Sequence, residues 1–146
     1  MNIRALTVSD TAFLLSAGET FADAWNLNMI SSAFRAGNFY GFIAEEKIDA
    51  RPLPIGFITY SVNVDTIDIA DLFVAESYRN KGVGCALISS LMQDATRRGV
   101  KKLFLEVRES NAPAKSLYEK AGFTFLSTRK KYYADGENAL IYIKEL

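Results

Sequence analysis

The sequence predicts a mixed α/β fold in which helices cover the faces of one central sheet. Two patterns lead to this prediction. Strand-like and helix-like segments alternate in the second half of the chain, and strand pairs joined by short turns occur towards both ends. In addition, 146 residues are enough for one domain with a complete hydrophobic core, so we expect a single domain over residues 1–146.

The first third of the chain alternates strands and helices with clear end signals. Ser9 or Asp10 can cap the first helix, and Gly37 can end the second. Glu46 to Pro54 carries two prolines and is expected to be a loop. The expected elements are a strand at Ile3–Leu6, helices from about Asp10 to Gly18 and from about Leu27 to Ala36, and a strand at Phe39–Glu45.

The remainder contains the clearest helix, in which apolar residues recur every fourth position from Val83 to Ala95. Gly99 closes this helix, and Gly122 stops the next one. The expected elements are paired antiparallel strands at Ile55–Val64 and Thr66–Val74 with a turn near Asn63-Val64-Asp65, a helix from Gly82 to about Arg98, a strand at Lys101–Val107, a helix from about Ala112 to Ala121, and strands at Phe123–Tyr133 and Ala139–Lys144 joined through Asp135-Gly136.

Composition excludes several classes of function. The chain has no histidine and one cysteine, Cys85, so Ser-His-Asp or Cys-His catalysis is excluded and a metal site is not expected. A net charge of +0 argues against a nucleic-acid partner. No apolar run is long enough for a membrane span, and the run before Ala22-Asp23-Ala24 is too short for a signal peptide. We expect a cytoplasmic protein, monomeric by default, with a dimer as the alternative.

A glycine-containing turn precedes the clearest helix and reads Arg79-Asn80-Lys81-Gly82-Val83-Gly84. Glycine lets backbone N–H groups approach a ligand, and a helix N-terminus favours an anion such as a pyrophosphate. The alternative is a tight turn whose glycines serve packing alone. The turn matches neither the Walker loop nor G-x-G-x-x-G.

A carboxylate interrupts a buried strand at Glu106, and two further polar groups follow at Asn111 and Tyr118. Strand alternation puts Glu106 on the opposite face of the strand from Leu105 and Val107. Partial burial of Glu106 at a cleft would suit a general base. The alternatives are structural. Glu106 could point outward or pair with Arg108 or Lys102, Asn111 could be a helix N-cap, and Tyr118 could be a core aromatic near Phe123.

These two stretches together resemble the GNAT acyl-CoA N-acetyltransferases, and within them the RimI-like ribosomal-protein-alanine N-acetyltransferases. The family's pyrophosphate motif is Q/R-x-x-G-x-G/A, which the turn from Arg79 to Gly84 matches. LEVRESNAPAKSLYEKAGF, Leu105–Phe123, is close to the RimI pattern L-E-V-R-x-S-N-x-x-A-x-x-L-Y-x-x-x-G-F. The resemblance implies a mixed, mostly antiparallel sheet of about six or seven strands, about four helices, and a V-shaped splay between two central strands.

The resemblance also implies a reaction, the direct attack of an amine on the thioester of acetyl-CoA. The amine would be a protein N-terminal α-amine, as on a ribosomal protein alanine. Glu106 would be the proton acceptor and Tyr118 the proton donor. The cofactor contacts implied are Leu72, Phe73, Val74, Arg79, Asn80, Lys81, Gly82, Val83, Gly84, Cys85, Asn111 and Tyr118, and the substrate contacts are Trp25, Glu106, Arg129, Tyr132 and Tyr133. Cys85 is interpreted as a small buried hydrophobic residue near the cofactor.

Departures from the family pattern leave the acceptor open. Ala24-Trp25-Asn26 stands where relatives often carry Pro-Trp-Ser or Pro-Trp-Thr, and Asn138 stands where an acidic residue is common. A small-molecule amine such as a polyamine, amino acid or aminoglycoside is therefore an alternative acceptor, and a non-catalytic acyl-CoA-binding module is another alternative. A ribosomal protein tail would need an acidic cleft, for which the candidates are Asp65, Asp68, Asp71 and Glu76.

Overall fold

A computed structural model describes residues 1–19 and 23–146 of the chain. The helices are α1 (Thr11–Ser16), α2 (Leu27–Ala36), α3 (Val83–Arg97) and α4 (Ala112–Lys120). The strands are β1 (Asn2–Ala5), β2 (Phe39–Ile48), β3 (Arg51–Asn63), β4 (Thr66–Val74), β5 (Lys102–Arg108), β6 (Thr124–Arg129) and β7 (Ala139–Glu145).

Within the described residues, seven strands form one sheet in the order β1-β2-β3-β4-β5-β7-β6. Each neighbouring pair is antiparallel except β4 and β5, which are parallel and joined through α3. The predicted mixed fold, its mostly antiparallel sheet and the number of helices are confirmed.

Helices cover both faces of the sheet, and strand residues alternate between two hydrophobic cores. On β3, Ile58 and Tyr60 pack in the core beneath α3 and α4, whereas Phe57 packs in the core beneath α1 and α2. On β5, Leu105 and Val107 belong to the α3 and α4 core. Residues between them on that strand therefore point towards the α1 and α2 face.

The parallel pair of β4 and β5 separates before either strand ends. Their register runs only from Thr66 opposite Lys102 to Ile69 opposite Leu105. A β-bulge at Ala70 shifts the register of β4 against β3 at this point, and such a bulge bends a strand. The V-shaped splay expected between two central strands is therefore present, and it leaves a gap in the sheet.

Residues 46–54 do not form the predicted loop. They belong to a hairpin that turns at Asp49 and Ala50, whose φ angles of 50° and 64° are left-handed. Pro52 and Pro54 lie in the part of β3 that pairs with β2 but not with β4. Their missing N–H groups therefore break no hydrogen-bond ladder on the β4 side. In this segment proline therefore marks a strand that is unpaired on one side, and not a loop.

The predicted strand at Phe123–Tyr133 is also wrong in its second half. β6 ends at Arg129, and Lys131 has a left-handed φ of 54°. The N–H of Tyr133 donates to the carbonyl of Glu137 at 3.1 Å, and the N–H of Gly136 donates to the carbonyl of Tyr133 at 2.8 Å. The connection between β6 and β7 is therefore a compact turn that carries Tyr132 and Tyr133.

Two further expectations concern a membrane span and a signal peptide. Among the described residues, none of the helices combines the length and apolar character that crossing a membrane requires. Ala22 of the triplet considered above lies outside the described residues.

The turn between β3 and β4 generates a stability prediction. Val64 is 99% exposed and has a φ of 49°, a conformation that is unfavourable for a β-branched residue. We expect Val64→Asn to raise the free energy of unfolding by roughly 0.5–1 kcal/mol, since Asn tolerates this region better. Val64→Ala keeps its Cβ and should gain less. Urea unfolding of the three proteins measures the difference, and equal midpoints would contradict this account.

Candidate active site

A cavity of about 850 Å³ occupies the gap between β4 and β5. Its walls come from both faces of the sheet, because α4 contributes on one face, and the segment before α2 and the turn between β6 and β7 contribute on the other. Seven of the predicted site residues line it, namely Trp25, Leu72, Glu106, Asn111, Tyr118, Tyr132 and Tyr133. The gap therefore joins the two faces of the sheet at the predicted site.

Glu106 points to the α1 and α2 face, as strand alternation predicts. Its carboxylate accepts a charged hydrogen bond of 2.8 Å from Nη1 of Arg129, so its partner is neither Arg108 nor Lys102. The Glu106 side chain is 33% exposed. It lies at the mouth of the cavity rather than in a dry pocket, which suits proton exchange with water.

Tyr118 fills both of the roles considered for it. Its ring is buried and packs edge-on against Phe123 with 5.6 Å between ring centroids, while the residue also lines the cavity. Burial raises the pKa of the Tyr118 hydroxyl, and the negative charge of Asp71 raises it further. Tyr118 therefore keeps its proton and can act as a hydrogen-bond donor.

Asn111 is the N-cap of α4, as its alternative interpretation predicts. Its Oδ1 accepts a hydrogen bond of 3.2 Å from the N–H of Ala114, and Pro113 follows in the first turn. Among the described residues, its Nδ2 donors have no acceptor. Since Asn111 also lines the cavity, these donors are available to a ligand.

The glycine-containing turn forms the start of α3. Gly82 is the N-cap with a φ of 85°, where a side chain would be strained. The carbonyl of Gly82 accepts from the N–H of Ala86 at 3.0 Å, so the N–H groups of the three intervening residues have no acceptor in the helix. A 15-residue helix thus presents free donors and its positive dipole end, as an anion site requires.

Cationic side chains flank this helix end. Arg79 Nε donates to the carbonyl of Val74 at 2.9 Å, which ties the turn to the end of β4. Lys81 is exposed, with its Nζ 5.6 Å from the ring centroid of Tyr78. This turn lies outside the cavity lining, and so do Phe73 and Val74, whose part in the prediction depends on their backbone groups.

The interpretation of Cys85 as a buried residue is wrong, because its side chain is exposed. Val83 and Leu87 are the buried residues of this turn. At about 100° per residue, the position midway between them points away from the sheet.

Arg108 joins the two connections that border the cavity on the α1 and α2 face. It makes two parallel hydrogen bonds to Asp23, of 2.6 Å and 2.9 Å, before α2. Its Nη1 also contacts Asp135 and Glu137, each at 2.8 Å, between β6 and β7. Its guanidinium lies 4.1 Å from the ring centroid of Tyr133. The sequence suggests Arg108 only as a partner for Glu106, although alternation places it on the same face.

Aromatic side chains complete this side of the cavity. Trp25 stacks on Phe39 with 5.6 Å between ring centroids. Tyr132 and Tyr133 pack edge-on at 5.0 Å, and the guanidinium of Arg129 lies 4.5 Å from the ring centroid of Tyr132. Arg129 itself does not line the cavity, but it contacts both Glu106 and Tyr132. The neighbouring carboxylate of Glu106 raises the pKa of Tyr132.

Asp71 is a cavity residue that sequence analysis named only among four acidic candidates. It follows the bulge on β4, and burial raises its pKa to about 7, with the negative charge of Asp23 contributing. Asp68 also lines the cavity, whereas Asp65 and Glu76 do not. The available signal was an aspartate inside the apolar run Ile69-Ala70-Asp71-Leu72-Phe73.

Known proteins resemble this chain in sequence and in structure. The sequence profile of the acetyltransferase (GNAT) family matches residues 9–123. The ribosomal protein bS18-alanine N-acetyltransferase of Escherichia coli (strain K12) is 40% identical over 88 residues, which cover 58% of this chain and 60% of that protein. The corresponding protein of Salmonella typhimurium is 33% identical over 127 residues, 81% of this chain and 86% of that protein.

Structural similarity extends over the whole chain. The crystal structure of the ribosomal-protein-S18-alanine N-acetyltransferase from Escherichia coli superposes with a TM-score of 0.86 and 29% identity, covering 99% of this chain and 92% of that one. In sequence, by contrast, the chain spans about three-fifths of the length of the Escherichia coli relative. The resemblance drawn from the motifs is confirmed at the level of the family.

The contacts of Arg108 generate a prediction about local stability. Arg108→Lys keeps the charge but loses the planar fork that serves three carboxylates at once. We expect the amides of Lys131, Tyr133 and Gly136 to exchange with solvent deuterium about tenfold faster, since the turn loses charged hydrogen bonds. Arg97→Lys, at a 75% exposed side chain on α3, is the control and should change none of these amides. Unchanged exchange in Arg108→Lys would show that Arg108 does not hold the turn.

Proposed function

We propose that the chain, which belongs to the acetyltransferase (GNAT) family, transfers an acetyl group from acetyl-CoA to the α-amine of a protein N-terminus. The observation that carries this proposal is the cavity in the gap between β4 and β5, which is lined from both faces of the sheet. Two reactants can then meet inside the sheet while each is bound on its own face. Holding both in line would supply much of the rate.

The α3 and α4 face has the groups that acetyl-CoA needs. The free N–H groups at the start of α3, together with Lys81, suit a pyrophosphate. The unpaired edge of β4 from Leu72 to Val74 offers backbone hydrogen bonds to the amide groups of pantetheine. Asn111 and Tyr118 line the cavity beyond that edge, where the thioester would lie. No metal is needed for this chemistry.

The α1 and α2 face suits an extended peptide. Trp25, Tyr132 and Tyr133 supply aromatic walls, and Arg108 fixes the two connections that carry them. The spacing between these connections sets the width of the opening. The α-amine at the end of an extended peptide can reach the gap from this side.

The amine must be neutral before it attacks. An α-amine has a pKa of about 7.7–8.0, compared with about 10.4 for lysine, so the N-terminus is the easier acceptor. We propose Glu106 as the proton acceptor for the nitrogen as the amide forms, acting through a water at the exposed mouth of the cavity. Arg129 positions its carboxylate through the 2.8 Å ion pair.

The thioester then breaks as the amide forms. The neutral amine nitrogen bonds to the carbonyl carbon and gives up one proton through water to Glu106, while the carbon–sulfur bond breaks and the sulfur takes a proton from its donor. Return of the proton from Glu106 through water restores that donor. We propose Tyr118 as the donor to the departing sulfur, because its protonated hydroxyl belongs to a residue that lines the cavity where charge develops. No covalent enzyme intermediate is needed, and the exposed Cys85 has no part in these steps.

A small-molecule amine is the second candidate acceptor. The feature that favours it is the substrate segment Ala24-Trp25-Asn26, in which Asn26 is occupied as the N-cap of α2 through a 2.9 Å bond from the N–H of Met29. A non-catalytic acyl-CoA-binding module would not need both Glu106 and Tyr118 at one cavity. A cytoplasmic location and a monomeric state stay predictions.

Acetyl transfer to peptides tests the proposed function. A peptide that begins with alanine should be acetylated, and one with a blocked N-terminus and a free lysine should not. Tyr118→Phe should lower kcat by about 10²-fold or more, and Glu106→Gln should lower it too, because each removes a group that donates or accepts a proton. Mass spectrometry identifies the modified amine.

Tyr142→Phe is the matched control for the tyrosine substitution. Tyr142 is buried and its hydroxyl donates a hydrogen bond of 3.0 Å to the carboxylate of Glu119, but it lies outside the cavity lining. It should keep nearly full activity. Transfer to a polyamine or an amino acid with none to either peptide would favour the second candidate, and acetyl-CoA binding without transfer to any amine would favour a binding module.

The start of α3 generates a prediction about acetyl-CoA affinity. Gly82→Ala adds a Cβ at a φ of 85°, which forces the turn to shift and displaces its N–H donors. We expect acetyl-CoA to bind roughly tenfold more weakly by calorimetry. Gly99→Ala, with a φ of 73° at the opposite end of the same helix, introduces a similar backbone strain. It should bind acetyl-CoA with the affinity of the wild type. Equal losses in the two variants would mean that strain alone, and not the anion site, explains the effect.

A further inference from the structure

Asp71 is a carboxylate of the cavity that the steps above do not use. It lies one residue after the bulge on β4, at the point where β4 leaves β5. It has the same orientation as Phe73, which packs against the α1 and α2 core, so it faces the acceptor side. It also lines the cavity itself.

Asp71 differs from the two neighbouring cavity carboxylates in its partners. Asp23 is paired with Arg108 and Glu106 with Arg129. Asp71 makes neither a hydrogen bond nor an ion pair with the described residues. Over that same part of the chain, no fully buried side-chain oxygen lacks a partner, so the Asp71 oxygens are accessible from the cavity.

Among the described residues, the groups around Asp71 include no cation that is free to pair with it. Besides burial, the charge of Asp23 from the segment before α2 raises the pKa of Asp71, and the charge of Asp71 in turn raises the pKa of Tyr118 on α4. Across the cavity lie Glu106 and Arg108 of β5, the latter with its charge engaged by three carboxylates. The other residues packed near it are Leu14, Trp25, Ile30, Phe39, Phe57 and Thr59.

We propose that Asp71 binds the α-ammonium group of the acceptor and takes the first of its two protons. The inference rests on the proposed function and deepens it, because it assigns the residue that receives the charged amine. The ammonium loses one proton to Asp71 and becomes a neutral amine. After the carbon–nitrogen bond has formed, the nitrogen loses its second proton through water to Glu106, and the sulfur leaves with a proton.

The acidity of Asp71 supports this assignment. Burial raises its pKa to about 7, which is close to the 7.7–8.0 of an α-amine. Proton transfer between groups of similar pKa needs little free energy. A lysine amine at about 10.4 is a poorer match, so Asp71 would also favour the N-terminal acceptor.

The test compares Asp71→Asn with Asp65→Asn on the alanine peptide between pH 7.5 and pH 9.5. Asp65 is an exposed carboxylate in the turn just before β4, and it lies outside the cavity lining. We expect Asp71→Asn to lower kcat/KM by about tenfold or more at pH 7.5, while the KM for acetyl-CoA stays unchanged. The deficit should shrink towards pH 9.5, where the amine is already neutral. Asp71→Glu, which keeps a carboxylate, should recover part of the activity.

Stability provides the check that Asp71→Asn folds. A carboxyl group whose folded pKa is raised destabilises the fold as pH rises through its unfolded value of 3.8 up to about 7. Over that range, the free energy of unfolding of Asp71→Asn should therefore rise relative to that of the wild type. A deficit that is the same at both pH values, or one that Asp65→Asn shares, would overturn the role of Asp71 while the proposed function stands. A wild type that acetylates no peptide N-terminus would overturn both, and the two failures are therefore distinguishable.

Discussion

The structure depends on a pair of parallel strands that stop pairing early. β4 and β5 are hydrogen-bonded only from Thr66 to Ile69, and the bulge at Ala70 then separates them. An open strand edge inside a sheet is unfavourable unless something bonds to it, since unpaired backbone groups need partners. In this protein the separation creates a cavity and leaves backbone donors and acceptors for a ligand. The position of each candidate site residue follows from that gap.

The gap also divides the chemistry between two faces. On the α3 and α4 side, a helix N-terminus and the exposed Lys81 present the donors and the positive charge that an anion would need. On the α1 and α2 side, Arg108 holds together two connections that carry Asp23 and Tyr133. Glu106 and Tyr118 lie at the gap itself, one facing each side. A sheet without the bulge would separate these groups by a continuous layer of backbone.

Sequence predicted the elements and the motif residues well, because their signals are local. The four-residue repeat from Val83, the cap at Asn111 and the glycine turn are each read from neighbouring positions. The errors arose where tertiary context decided. Pro52 and Pro54 were accepted on an unpaired edge, Cys85 turned outward because Val83 and Leu87 turned inward, and the strand before Tyr133 ended in a turn that Arg108 holds. The contacts of Arg108 and the cavity position of Asp71 depend on segments far apart in the chain, so spacing could not reveal them.

A structure of the chain with CoA joined through an acetyl bridge to a peptide that begins with alanine tests the central claim most directly. The account predicts pyrophosphate at the N–H groups that follow Gly82, the bridge between Leu72 and Tyr118, and the peptide leaving past Tyr133. It further predicts the peptide nitrogen next to the cavity carboxylates. A ligand bound along one face alone, with the gap between β4 and β5 closed or empty, would contradict the claim that the two reactants meet through the sheet.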